Sequence, residues 1–118
     1  MVPNDFKAYA RTMIVKERYL SQDELKYVYE SAEGRMEYHP ELAEKYRKII
    51  DNYSFYTDKN TAIEKAIKLS KSGLRHYQVW AKVGKDEEFY YIEDYYIVSN
   101  DYKILIAAEY IGMEQIVM

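Results

Sequence analysis

The sequence predicts an α+β domain, with helices in its first part packed on a small antiparallel sheet in its second. Two shifts along the chain carry that prediction. Up to about residue 72, apolar side chains recur every three or four positions, the spacing that gathers them on one side of a helix; from His76 onward they recur every second position, as in a half-buried strand. Charge shifts at the same place. Residues 1–75 hold 14 Lys and Arg against 12 Asp and Glu, a balance of +2, whereas residues 76–118 hold 3 against 8, a balance of −5. No linker rich in Gly, Ser or Pro separates the two parts and no repeat recurs, so the 118 residues read as a single domain, 1–118, with a helical part at about 4–52 and a β-α-β-β-β part at about 53–112.

Asn4 or Asp5 caps a first predicted helix that runs to about Tyr19 and gathers Phe6, Ala10, Met13 and Leu20 on one side, with Tyr9 and Ile14 widening the stripe. Ser21-Gln22-Asp23-Glu24 is a capping-box pattern, followed at helical spacing by Leu25, Val28, Tyr29 and Ala32, with Gly34 as the expected stop. Residues 34–40 read as a connection. Pro40 suits the first turn of a third helix presenting Leu42, Tyr46, Ile49, Ile50 and Tyr53, with Glu41/Lys45 and Glu44/Lys48 supporting its wet side. Tyr53-Ser54-Phe55-Tyr56-Thr57 is compatible with a short edge strand. Thr61 and Glu64 repeat the capping box and open a fourth helix, with Ile63, Ala66, Ile67 and Ser70 on one face and Gly73 as its stop.

Three alternating runs follow: His76–Val83, Glu88–Val98 and Tyr102–Ile111, joined by Gly84-Lys85-Asp86-Glu87 and Ser99-Asn100-Asp101. Connections this short demand antiparallel neighbours, which predicts a meander of three strands. The period of two assigns Tyr77, Val79, Ala81 and Val83 to the core face of the first, and Tyr102, Ile104, Ile106, Ala108 and Tyr110 to that of the last. In the middle strand the side carrying Ile92 and Val98 is expected inside. Phe89, Tyr91, Glu93, Tyr95 and Ile97 are then left partly exposed.

Much chemistry is excluded. Without Cys there is no disulfide scaffold, zinc ribbon, iron–sulfur site or thiol catalysis. The longest apolar run, Ile104–Ala108, is far short of the roughly 18 residues that span a bilayer, and the first residues lack the basic start and apolar stretch of a signal peptide, so a cytoplasmic location is expected. The glycines at 34, 73, 84 and 112 are isolated and build no phosphate loop, and no cofactor is expected. His39 lies near Glu37, Glu41 and Glu44 without the spacing of a metal motif, and His76 has no nucleophile beside it. Glu93 and Asp94 point to opposite sides of a strand and cannot act together on one bond. No catalytic or metal-binding residue is expected.

The composition is unusual in tyrosine, which supplies 15 of 19 aromatic residues. Tyr9, Tyr29, Tyr46, Tyr53, Tyr77, Tyr102 and Tyr110 fall on expected core stripes, where packing accounts for them. Tyr91 and Tyr95 do not. With Phe89 and the acids Glu87, Glu88 and Glu93 they make a Tyr-rich, acidic sheet face, and exposed patches of this kind mark contact surfaces. The expected function is non-enzymatic protein binding at Tyr91, Glu93, Tyr95, Glu87, Glu88 and Phe89, with another protein or a second copy of the chain as partner. The competing reading is nucleic-acid binding by Lys65, Lys68, Lys71 and Arg75, which form one basic stripe on and just beyond the fourth helix. A third is capture of a small ligand near His76 or His39.

Phe55-Tyr56-Thr57-Asp58-Lys59, Ala62-Ile63-Glu64-Lys65-Ala66 and Tyr77-Gln78-Val79-Trp80, followed by the Tyr-rich hairpin, resemble the strand–helix–strand core of small accessory proteins of phages and mobile elements. The resemblance covers about residues 53–98 and singles out no functional residue. It implies a protein without an active site that binds and blocks a host machine, including defence systems such as CRISPR nucleases.

Overall fold

The computed structural model of the chain describes residues 21–72, 76–87 and 89–116. Its elements are α1 (Gln22–Tyr38), α2 (Pro40–Asp51), α3 (Lys59–Ser72), β1 (Gln78–Lys85), β2 (Tyr90–Ser99), α4 (Tyr102–Tyr110) and β3 (Met113–Ile116). This is the α+β class expected, with most helices ahead of the strands. The helix expected at 4–19 lies outside the described residues, as do Gly73, Arg75 and Glu88.

The caps are local and legible. The Glu24 N–H donates to Ser21 Oγ at 3.1 Å and the Ser21 hydroxyl donates to Glu24 Oε1 at 3.3 Å, starting α1 at the capping-box serine. Pro40 opens α2. α3 begins earlier than expected, because Asp58 rather than Thr61 is its cap: Asp58 Oδ2 accepts from the Thr61 N–H at 2.9 Å and the Thr61 hydroxyl at 2.7 Å. Those two donors hold the Asp58 carboxyl below its usual value.

α1 does not stop at Gly34 but continues to Tyr38. Tertiary contacts override the glycine. Arg35 Nη2 donates to the carbonyls of Glu109 and Tyr110 at 3.1 and 3.3 Å, and the Tyr110 hydroxyl donates to the Arg35 carbonyl at 3.3 Å. These bonds tie the last turn of α1 to the orphan carbonyls of α4. Gly34 itself is exposed with open space where a side chain would stand. Gly34→Ala is therefore expected to raise stability by about 0.5–1 kcal/mol, read as a higher urea midpoint at unchanged slope. An unchanged or lower midpoint would mean that the helix does not carry through this position.

The sheet has the order β2-β1-β3, with both neighbours antiparallel to β1. It is not a meander. The segment expected as a third strand, Tyr102–Ile111, is α4 and the turn after it, and the true third strand comes later and pairs on the far side of β1. Asp101 caps α4 through Oδ1, which accepts from the Lys103 N–H at 3.0 Å, and Gly112 closes it at φ 89°. As a helix, α4 exposes Tyr102 and Ile106, which the strand reading had placed in the core, and buries Ala107 and Ala108 completely.

Helices cover both faces of the sheet, so β1 is buried on both. Val79, Ala81, Tyr96, Val98 and Ile116 pack against Ala62, Ile63 and Ala66 of α3. On the other face Trp80, Ile97 and Met113 pack against Ile50 of α2 and Ala107 and Ala108 of α4. Near the β1–β2 turn, Leu25 of α1 joins Val83 and Tyr90.

The outer edge of β2 is closed piecemeal. Tyr56 and Tyr96 exchange backbone hydrogen bonds of 2.7 and 2.8 Å, which reduces the expected edge strand to one bridge. The Gln22 amide donates to the Tyr90 carbonyl and accepts from the Tyr90 N–H, each at 2.8 Å, and the Tyr53 hydroxyl donates to the Val98 carbonyl at 3.2 Å. Side chains thus take backbone groups that a further strand would otherwise use.

Candidate functional site

The site begins with an irregularity. Ala81 pairs with Tyr96 and Val83 with Ile92, so one residue of β1, Lys82, faces three of β2, Glu93, Asp94 and Tyr95. The bulge bends the hairpin at the segment richest in aromatics. Beyond it Gly84 pairs with Tyr91, and a Cβ at Gly84 would stand 2.8 Å from Tyr91 Cζ and 2.9 Å from Glu93 Cγ. A phenol ring and a carboxylate side chain are thus pressed together over bare backbone, and only glycine leaves room for both.

Tyr95 is the half-buried anchor of this face. Its ring stacks on Phe55 with centroids 4.4 Å apart and planes at 14°, and the Lys82 ammonium lies 4.0 Å from its centroid. Its hydroxyl donates to the Ile50 carbonyl at 3.4 Å. Burial first, and the Asp51 charge second, push the phenol above its ordinary value, so it stays a neutral donor. Phe55 is half exposed at 51%. The sequence pattern places it only in a short edge strand. Its place beside Tyr95 comes from the single bridge of Tyr56 to Tyr96, which no sequence signal marks.

At the turn, the Asp86 N–H donates to the Phe89 carbonyl at 3.0 Å and Asp86 Oδ1 accepts from the Phe89 N–H at 3.1 Å. This closed turn holds Phe89 outward, 60% exposed, beside the exposed Glu87. Tyr91 is 40% exposed and Glu93 half-buried. Of the expected binding residues, the fold therefore gathers Tyr91, Glu93 and Tyr95 on one face, with Phe89 and Glu87 at its end. Glu88 is outside the described residues. Ile97 corrects the reading: expected on the exposed side, it is fully buried beneath α2 and α4.

Lys65, Lys68 and Lys71 lie on the exposed side of α3, opposite the buried Ala62, Ile63, Ala66 and Ser70. Arg75 is outside the described residues. His39 is exposed, its ring set edge-on to Tyr38 at 4.6 Å, beside a shallow cleft lined by Pro40, Glu41, Leu42 and Lys45, all exposed. His76 is exposed and apart from it. Among the described residues no three His, Asp or Glu side chains come close enough to hold a metal ion, and no helix is long and apolar enough to cross a membrane. No family model, curated protein or solved structure matches the chain.

Proposed function

We propose that the protein is a non-enzymatic binding protein whose partner docks on the hairpin face formed by Phe89, Tyr91, Glu93 and Tyr95 and extended by Phe55. The observation that carries this reading is the exposure of Phe55, Phe89 and Tyr91 at 51%, 60% and 40% around an anchored Tyr95. Held aromatic rings offer large contact area at small entropic cost, and Tyr is enriched among the residues that dominate binding energy. The resemblance of residues 53–98 to phage and mobile-element accessory proteins extends the reading to a host machine, such as a defence nuclease, that the docked protein blocks.

The test is capture of the partner from host extract by three forms of the full chain: the parent, Phe89→Ala/Tyr91→Ala, and Lys65→Ala/Lys68→Ala/Lys71→Ala. The aromatic variant is expected to bind roughly thirty-fold more weakly, the effect of losing about 2 kcal/mol at a binding hot spot, while the lysine variant binds as the parent does. Loss of a nucleic acid with the lysine variant alone would favour the basic stripe instead. Capture of only the chain itself would make the partner a second copy.

A further inference from the structure

Resting on the hairpin face as the docking surface, we infer that the Tyr91–Glu93 pair over Gly84 is a receptor for an arginine side chain of the partner. Three observations carry this. The Tyr91 ring and the Glu93 Cγ fill the space over Gly84 side by side, so a planar cation laid on the outer side of the pair meets an aromatic surface and a carboxylate together. Glu93 is half-buried and makes no hydrogen bond or ion pair with any described residue; the nearby Glu87 and Asp94 are exposed and likewise form no ion pair among the described residues. A partly desolvated carboxylate without a partner gains from an incoming cation what an exposed one does not.

The hairpin's own cations are already placed elsewhere. Lys82 sits 4.0 Å from the Tyr95 centroid and Lys85 sits 5.5 Å from the Tyr90 centroid, and neither forms an ion pair among the described residues. The surrounding segment, 76–118, carries the balance of −5, which draws a basic partner. Arginine fits better than lysine. Its guanidinium is flat, stacks on a ring and meets a carboxylate with two parallel N–H donors, whereas an ammonium is a compact and more strongly hydrated point charge.

The experiment titrates the full chain with a fluorescently labelled arginine-rich peptide and with a lysine peptide of equal length and charge, following anisotropy at low and moderate salt. The arginine peptide is expected to bind roughly ten-fold more tightly, and Glu93→Gln and Tyr91→Leu are each expected to weaken it roughly ten-fold and erase the difference between peptides, with unchanged circular dichroism. Equal affinity for the two peptides, or full arginine binding by Glu93→Gln, would overturn the inference. Its failure is separable from failure of the docking face. A partner lost by Phe89→Ala/Tyr91→Ala but held undiminished by Glu93→Gln would keep the face and remove the arginine receptor.

Discussion

Ile97→Ala is expected to lower the unfolding free energy by about 3 kcal/mol and the Tm by roughly 10–15 °C, while Ile106→Ala costs less than about 1 kcal/mol. Ile97 is fully buried among Ile50, Trp80, Ala107, Ala108 and Met113, and its truncation leaves a cavity that two helices and a sheet are too closely packed to fill. Ile106 is 37% exposed on α4 and loses far less apolar contact. The pair discriminates between two folds. Were Tyr102–Ile111 a third strand of a meander, Ile106 would lie in the core and Ile97 on the open face, and the two costs would be reversed. Chemical denaturation of the two variants decides it, because the expected gap is several times the usual uncertainty of such measurements.

The second large effect is expected at Gly112. Its φ of 89° places the backbone where a side chain costs about 1–2 kcal/mol, and an added Cβ would stand 2.5 Å from the Ala32 Cβ. Gly112→Ala thus strains the turn that closes α4 and pushes α1 away from it, loosening the Arg35 bonds to the Glu109 and Tyr110 carbonyls. A loss of about 2–4 kcal/mol is expected, the upper part from the clash. Adding Ala32→Gly removes the clash and leaves the backbone strain, so the double variant is expected to be more stable than the sum of the single losses. Strict additivity in urea unfolding would mean that the two positions do not touch.

These two positions also show where the sequence was legible. The helices at 22–51 and 59–72 and the first two strands follow from periods of 3.6 and 2, and their caps from Ser21, Pro40 and the Asp58–Thr61 segment. Residues 102–111 misled because Tyr, Ile, Ile, Ala and Tyr alternate as a strand would, while the adjacent Ala107 and Ala108 suit a helix pressed close to Ile50 and Ile97. The deciding signals were local ones at the ends, Asp101 as a cap and Gly112 as a stop. Gly34 misled in the opposite direction, since contacts from α4 carry the helix past it. Most of the proposed docking face was legible: Phe89, Tyr91, Glu93 and Tyr95 share a side by parity alone. The burial of Ile97 was not, because it depends on α4 being a helix. Nor was the role of Phe55, which depends on a single bridge to Tyr96.

The central claim is that the hairpin face is the docking surface. Hydrogen exchange of the chain, free and with its captured partner, tests it most directly. Slowed exchange on complex formation is expected at residues 86–95 and around Phe55, with α3 unchanged. Protection confined to α3 around Lys65, Lys68 and Lys71, with the hairpin exchanging as it does in the free chain, would contradict it.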